Sequence, residues 1–221
     1  MIAADVVTHR AVAGSATRMA DEDPISTQVV RHGLDATADQ LLVALRRTAL
    51  SPVIYDARDF AGAFYDTQFR RLAQMQSLPV FLGALGYCAE AAVAQAGGAD
   101  VLKPGEVLLS NYAYNTGSHQ SDVAVIVPGF FEGELICYAV IKAHYMDVGG
   151  AWLFATHTDN IWQEGTIYPG VRIYRRGELN ENLWRTTLVN TRTPKNFAGD
   201  TIARVGACRI ALEAFNRVID R

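Results

Sequence analysis

The chain has 221 residues, of which 50% are hydrophobic and 19% charged, and its formal net charge is −3 at pH 7. This composition excludes an intrinsically disordered chain and a collagen-like or disulfide-dense scaffold, and the lack of a basic stripe argues against nucleic-acid binding. Cys88, Cys137 and Cys208 are too far apart for a Cys-x-x-Cys zinc motif, and we expect buried thiols in a reducing compartment.

No targeting or membrane segment is visible in the sequence. The first twenty residues include Asp5, His9 and Arg10 and build no apolar core of a signal peptide. The longest apolar run, residues 123–131, is about half as long as a membrane-spanning helix requires. We therefore expect a cytoplasmic protein without a membrane partner.

A long helix is predicted near the start of the chain. Residues 1–23 lack a steady period and predict a flexible arm, followed by one domain over 24–221. Asp23 is the predicted N-cap, Pro24 the first helical residue, and Pro52 ends the segment. The residues that recur at helical spacing are Val29, Val30, Leu34, Thr37, Leu41, Leu45 and Thr48.

Strands and a second helix follow. Residues 60–65 and 69–74, separated by a turn at 66–68, predict a β-hairpin. The Ala-rich segment 82–96 predicts a helix that ends at Gly97-Gly98.

The apolar segments 123–127 and 135–143 predict a second hairpin in the centre of a sheet. Residues 106–110 and 171–174 are the remaining predicted strands. The loop 149–166 between them has no clean period, and a loop of this length is usually functional or bound to a partner.

Two C-terminal helices are predicted over residues 180–190 and 199–218, separated by Thr193-Pro194. The element order indicates an α+β fold rather than a βαβ alternation. We expect a mixed, mainly antiparallel sheet with a long N-terminal helix and C-terminal helices.

Two copies of the pattern His-x-x-Asp flank the second predicted hairpin. His119-Gln-Ser-Asp122 precedes its first strand, and His144-Tyr-Met-Asp147 stands at the end of its second strand. Because the start of one antiparallel strand lies beside the end of the next, both pairs are expected at one end of the sheet. Two imidazoles with one or two carboxylates suit Mn, Fe, Co or Zn. The alternative is that both histidines are ordinary loop residues with carboxylate partners.

Other polar residues are candidates on weaker grounds. Glu164, flanked by apolar residues, is a candidate ligand or general base, or else a loop carboxylate in a hydrogen-bond network. Asp59 either pairs with the neighbouring arginine or faces the site, and the sequence does not decide between these. His157 is a candidate to enter the site from its loop, whereas His32 is expected on the surface of the first helix. No phosphate-binding loop or dinucleotide motif occurs, so we do not expect this chain to bind ATP by itself.

Six short motifs occur in a fixed order along the chain. They are Leu45-Arg-Arg-Thr-Ala-Leu-Ser-Pro52, Arg58-Asp-Phe-Ala-Gly-Ala-Phe-Tyr-Asp66, Gly117-Ser-His-Gln-Ser-Asp-Val123, Ala143-His-Tyr-Met-Asp-Val-Gly-Gly150, Gln163-Glu-Gly165 and Arg176-Gly-Glu-Leu179. This combination resembles the hydantoinase B/oxoprolinase family, which includes the large subunits of acetone and acetophenone carboxylases. The likeness covers only the N-terminal portion of the family's longer chains.

The resemblance implies a division of labour between two kinds of chain. A hydantoinase A-like partner binds ATP and phosphorylates the carbonyl oxygen of a small-molecule lactam, imide or ketone, and the B-type chain acts on the activated product. The family's metal ligands correspond to His119, Asp122 and His144, with Asp147 as an additional or outer ligand. Glu164 and Asp147 are then the candidate catalytic residues, and a second chain is expected to supply the rest of the B-type fold.

The resemblance leaves three functions open. The first is a subunit of an ATP-dependent cyclic-amide hydrolase, the second is a subunit of a ketone carboxylase, and the third is a non-catalytic assembly subunit. Two positions depart from the family pattern: Asn111-Tyr-Ala-Tyr114 replaces the frequent Asn-Asp-Pro-Tyr, and Tyr145 stands where many members carry a second histidine.

Overall fold

The structure, a computed structural model, describes residues 24–116 and 118–220. The predicted arm at 1–23 and its N-cap at Asp23 lie outside the described residues. In the described part of the chain, no helix is both long enough and apolar enough to cross a bilayer.

Six α-helices lie in the described residues, and the first and last of them are the longest. The predicted N-terminal helix is confirmed, and its residue His32 is exposed as expected. The last helix begins at Pro194, earlier than predicted, because proline is well tolerated in the first turn. The helices are α1 (Pro24–Thr48), α2 (Pro52–Tyr55), α3 (Pro79–Gln95), α4 (Ala113–Thr116), α5 (Glu181–Val189) and α6 (Pro194–Ile219).

A single seven-stranded sheet forms the centre of the fold, in the order β2-β1-β5-β4-β3-β6-β7. Every strand pair in it is antiparallel, which confirms the mainly antiparallel α+β prediction. The predicted second hairpin, β4 and β5, lies in the centre as expected. The strands are β1 (Phe60–Asp66), β2 (Arg71–Gln74), β3 (Val107–Ser110), β4 (Asp122–Phe131), β5 (Glu134–His144), β6 (Pro169–Arg175) and β7 (Glu178–Leu179).

Helices cover both faces of the sheet. Along β4, Val123 and Val125 pack in the core formed with α1 and α6. The alternate residues Ala124 and Ile126 pack in a second core formed with α3. Because side chains alternate between faces along a strand, this pattern also decides on which face each polar residue at the strand ends lies.

The cysteines are confirmed as free, buried thiols, and all three lie within these cores. Burial raises the pKa of the Cys88 thiol to about 11 and that of Cys208 to about 12. Such thiols remain protonated at neutral pH and contribute to packing as small apolar side chains.

Candidate metal centre

Asp122 and His144 meet at one end of the sheet because β4 begins at the first and β5 ends at the second. The two residues are direct partners in the antiparallel register. Both side chains lie on the α3 face, and Nδ1 of His144 is 3.1 Å from Oδ1 of Asp122. Both residues are buried. The strand register alone therefore fixes one imidazole beside one carboxylate.

His119 joins this pair from the loop that precedes β4. The backbone N–H of Asp122 donates to the carbonyl of His119, which closes a tight turn at 3.1 Å. This turn brings Nε2 of His119 to 3.2 Å from Oδ1 of Asp122. The rings of His119 and His144 have their centroids 4.9 Å apart. The predicted convergence of the two His-x-x-Asp pairs thus holds for three of their four residues, His119, Asp122 and His144.

The three side chains fit a divalent metal in both chemistry and spacing. One ligand atom from each of His119, Asp122 and His144 lies within 4.8 Å of the others. Ligand atoms that each lie about 2.1 Å from one ion stand about 3.0–3.4 Å apart at octahedral to tetrahedral angles. The two histidine-to-carboxylate distances, 3.1 and 3.2 Å, match that separation. The mixed nitrogen and oxygen set suits Mn, Fe, Co or Zn.

Electrostatics favour the anionic form of Asp122. Burial raises the pKa of its carboxyl, but hydrogen bonds from His119 and His144 outweigh burial and lower that pKa to about 2. The hydrogen bond to Asp122 in turn raises the pKa of His119, although burial opposes the increase. A metal ligand must be deprotonated, so Asp122 is ready to bind a cation at neutral pH.

Asp59 is a further carboxylate at this end of the sheet. Its carbonyl accepts the backbone N–H of His144 at 3.0 Å, directly before β1 begins. Ala61 and Ala63 of β1 pack in the core with α3, so alternation places Asp59 on that same face. Burial raises the pKa of Asp59, the charge on His144 lowers it, and the charge on Asp122 raises it. The structure therefore resolves the open choice: Asp59 faces the His119–Asp122–His144 cluster.

The loop 149–166 lies beside the strand ends that form the site. Glycines bring the two ends of this loop close together. Gly149 and Gly165 pair in an isolated antiparallel bridge. Their φ angles, 86° and 120°, lie in the region that favours glycine. A Cβ on Gly150 would stand 2.4 Å from the carbonyl oxygen of Glu164. Gly150 therefore lies directly against the far end of the same loop.

This closed loop places Glu164 beside the His119–Asp122–His144 cluster. Its Oε2 accepts the backbone N–H of Gln120 at 2.8 Å. The same oxygen lies 3.9 Å from Nδ1 of His119. A carboxylate behind a ligating imidazole helps to orient that ring. The role of Glu164 as ligand or general base stays a prediction.

Phe154 of the same loop covers His144. The two rings stack with centroids 5.8 Å apart and planes 10° from parallel. Phe154 adopts a φ of 59° and a ψ of 11°, which is rare for a bulky residue. His157 lies elsewhere on the loop, edge-on to Trp152 at 5.7 Å between centroids. The structure thus places a strained aromatic residue, rather than His157, against the His119–Asp122–His144 cluster.

Asp147 is not brought to the cluster, although it completes the second His-x-x-Asp motif. Its buried carboxylate accepts hydrogen bonds from Arg192 at 2.6 and 3.0 Å and from the N–H of Gly149 at 3.0 Å. Thr191 donates to it as well, at 3.2 Å. These contacts fix the turn after β5 against the segment before α6. The expected catalytic role of Asp147 stays a prediction.

Asn111 is a positioning residue that the sequence pattern does not reveal. Its buried side-chain amide donates to the carbonyls of Gln120, at 2.7 Å, and Thr166, at 2.9 Å. Its Oδ1 accepts the N–H of Tyr168 at 2.6 Å. Asn111 thereby connects the loop of His119 to the end of the loop that carries Glu164. In the sequence Asn111 stands out only as the first residue of Asn111-Tyr-Ala-Tyr114, and that motif does not reveal these hydrogen bonds.

Residues 23–221 match the sequence profile of the hydantoinase B/oxoprolinase family. The chain belongs to this family. The beta chain of caprolactamase from Pseudomonas jessenii is 30% identical over 201 residues, covering 90% of this chain and 34% of that protein. The 5-oxoprolinase of Saccharomyces cerevisiae is 32% identical over 166 residues, covering 74% of this chain and 13% of that protein.

Solved structures agree with this assignment. The ATP-dependent caprolactamase from Pseudomonas jessenii superposes with a TM-score of 0.84 at 29% identity, over 91% of this chain and 35% of that chain. A nucleotide-free acetone carboxylase superposes with a TM-score of 0.81 over 90% of this chain and 27% of that chain. At 18% identity this second likeness shows a shared fold. The chain spans about a third of the length of the caprolactamase beta chain.

Tyr145, which departs from the pattern expected for a hydantoinase B-type chain, lies outside the His119–Asp122–His144 cluster. Tyr145 directly follows His144, so its side chain points to the opposite face of the sheet. There its ring stacks on Phe197 at 4.2 Å and beneath the guanidinium of Arg204 at 4.3 Å. Its hydroxyl contacts Thr201. Tyr145 is therefore a core residue and takes no part in the site.

Proposed function

We propose that this hydantoinase B-type chain is the metal-binding part of an ATP-dependent hydrolase that opens cyclic amides. The substrate is a lactam or imide whose carbonyl oxygen has been phosphorylated by a hydantoinase A-like partner. The convergence of His119, Asp122 and His144 in a family whose members include caprolactamase and 5-oxoprolinase carries this proposal. This chain matches about a third of the caprolactamase relative, and in this proposal the rest of the B-type fold is also part of the active complex.

Each residue of the cluster has a distinct task in this proposal. His119, Asp122 and His144 hold a divalent metal, which when bound supplies Lewis-acid chemistry and lowers the pKa of water in contact with it. Glu164 accepts a proton at Oε2 from the attacking water as the new carbon–oxygen bond forms, and it returns that proton to the ring nitrogen as the carbon–nitrogen bond breaks. The acyl phosphate left by ring opening releases inorganic phosphate on reaction with a second water. Phe154 shields the His144 side of the site from solvent.

The ATP-dependent step belongs to the partner chain in this proposal. The sequence contains no phosphate-binding loop of the G-x-x-x-x-G-K-[ST] kind. Two similar proteins are themselves named as subunits of larger enzymes, one of a caprolactamase and one of a putative D-/L-hydantoinase from a Pseudomonas species. Activation and ring opening are therefore assigned to different chains.

The test is ATP-dependent ring opening by the complex purified with its partner chains. We expect hydrolysis of a lactam or imide without bicarbonate, and Glu164→Gln should lower kcat by about 10²–10⁴-fold with unchanged metal content. Glu213→Gln, which alters an exposed glutamate on α6, is the matched control and should leave turnover unchanged. Consumption of a ketone only when bicarbonate is present would contradict hydrolysis and favour carboxylation.

A further inference from the structure

A buried lysine lies beside the His119–Asp122–His144 cluster and has no task in the proposed reaction. Lys142 is two residues before His144 on β5 and therefore on the same face of the sheet. Its exposed fraction is 0%. Ala124 stands opposite it on β4, and this small residue leaves room for a long side chain. A fully buried ammonium group is rare unless it is paired or hydrogen-bonded.

The ammonium group of Lys142 is directed at the loop that carries His119. Its Nζ donates a hydrogen bond to the hydroxyl of Ser118. It also lies 5.6 Å from the centroid of the Phe81 ring, which belongs to α3. Burial lowers the pKa of Lys142, and the charge of Asp122 opposes that change. Lys142 thus connects strand β5 to Ser118, the residue directly before His119.

His119 needs such support more than the other two ligands do. Asp122 and His144 are buried strand residues whose positions follow from the register. His119 lies on a loop, and its side chain is 37% exposed. Its imidazole is therefore only as well placed as the short segment around it.

Hydrogen bonds hold the residues on both sides of His119 in the segment 118–121. The N–H of Gln120 donates to Glu164, and its carbonyl accepts from Asn111. The carbonyl of Ser121 accepts the N–H of Tyr145 at 2.8 Å. At the other side of His119, the contact to Ser118 comes from Lys142.

We propose that Lys142 is a positioning residue that fixes His119 for metal binding through its hydrogen bond to Ser118. The inference rests on the proposed metal site and adds a residue outside the ligand set. Partners of this kind around ligands typically contribute 10–100-fold to metal affinity, so about that loss is expected when the contact is removed.

The test is a double-mutant cycle that measures metal affinity and ligand geometry on the full chain. Lys142→Met and Ser118→Ala should each weaken Co²⁺ binding by about 10–100-fold and change the visible absorption spectrum of bound Co²⁺. The double variant should bind Co²⁺ no more weakly than the single variant with the lower affinity, because the two substitutions remove the same hydrogen bond. Ser118→Thr keeps the hydroxyl and should retain wild-type affinity. Lys103→Met, at an exposed lysine, is the matched control.

The outcomes separate this inference from the metal site itself. Folded Lys142→Met and Ser118→Ala proteins with wild-type affinity and spectrum, or strictly additive losses, would overturn the positioning role. If Lys142→Met does not fold, the comparison of Ser118→Ala with Ser118→Thr decides on the same criteria. Failure of the wild-type chain to bind Co²⁺ would contradict the metal site and this inference together.

Discussion

Asp122 and His144 are direct cross-strand partners, with 3.1 Å between the carboxylate Oδ1 and the imidazole Nδ1. The backbone N–H of His144 also donates to the carbonyl of Asp59, directly before the neighbouring strand β1. Pairing between three neighbouring strand ends therefore positions these residues of the site without help from a loop. A slip of one residue in the register would turn these side chains to opposite faces.

Tyr145→Phe should destabilise the protein slightly without affecting the metal. The variant loses the hydroxyl contact with Thr201 and keeps the stacking on Phe197. We expect the free energy of unfolding to fall by about 1 kcal/mol, as for one lost hydrogen bond. Urea denaturation measures this loss, and elemental analysis checks that metal content is unchanged. Loss of metal would show that Tyr145 serves the site after all.

Alternation along the central hairpin made most of the site predictable. The pattern of β4 and β5 predicted both His-x-x-Asp pairs at one sheet end, and the structure brings His119, Asp122 and His144 together but not Asp147. The same alternation sends Tyr145 to the opposite core and places Asp59 toward the site, and neither was predicted from the sequence.

Other features could not be predicted because they depend on contacts between distant segments. The hydrogen bonds of Asn111 join segments 9 and 55 residues away in the chain. The carboxylate of Asp147 is held by Arg192, 45 residues further on. The elements α2, α4 and β7 are too short for a hydrophobic period to reveal them.

Gly150→Ala should disturb the loop that carries Glu164. The new Cβ would lie 2.4 Å from the carbonyl oxygen of Glu164, so the backbone must shift. We expect a loss of about 1–3 kcal/mol in unfolding free energy, as for overpacking, and a turnover reduced at least tenfold. Gly83→Ala in α3 is the matched control, because no atom lies within 4 Å of its added Cβ. The prediction fails if both alanine variants behave alike.

Asp147→Asn should lose stability in a way that depends on pH. Burial raises the pKa of Asp147, but hydrogen bonds from Arg192 and Gly149 outweigh it and lower the pKa below its usual value. A lowered folded-state pKa means that the carboxylate stabilises the fold fully above the unfolded pKa, about 3.9, and progressively less as the pH falls through the folded value. Because Arg192 is about half-exposed, solvent screening limits the loss at pH 7 to about 1–2 kcal/mol.

The measurement for Asp147→Asn is the difference in Tm from wild type between pH 2 and pH 8. The difference should be constant from pH 8 to about 5 and shrink below about pH 4. Asp39→Asn, at an exposed position on α1, should show no such dependence. A difference that persists undiminished at pH 2 would rule out the ionised carboxylate as its source.

Phe154→Gly should separate stability from activity. Glycine relieves the left-handed backbone at φ 59°, worth about 1–2 kcal/mol, while its own conformational entropy offsets about 0.5–1 kcal/mol. We expect the free energy of unfolding to stay within about 1 kcal/mol of wild type. Turnover should fall because the ring no longer covers His144. Denaturation curves test the prediction for stability, and steady-state kinetics test the prediction for turnover. Unchanged kinetics would show that Phe154 has no role in the site.

The metal content of the complex purified with its partner chains tests the central claim most directly. Wild type and His144→Ala are compared by elemental analysis, with His32→Ala, at an exposed histidine on α1, as the control. The account predicts about one Mn, Fe, Co or Zn per chain in wild type and His32→Ala, and loss of that metal in His144→Ala. No metal in the wild-type complex, or full retention in His144→Ala, would contradict it.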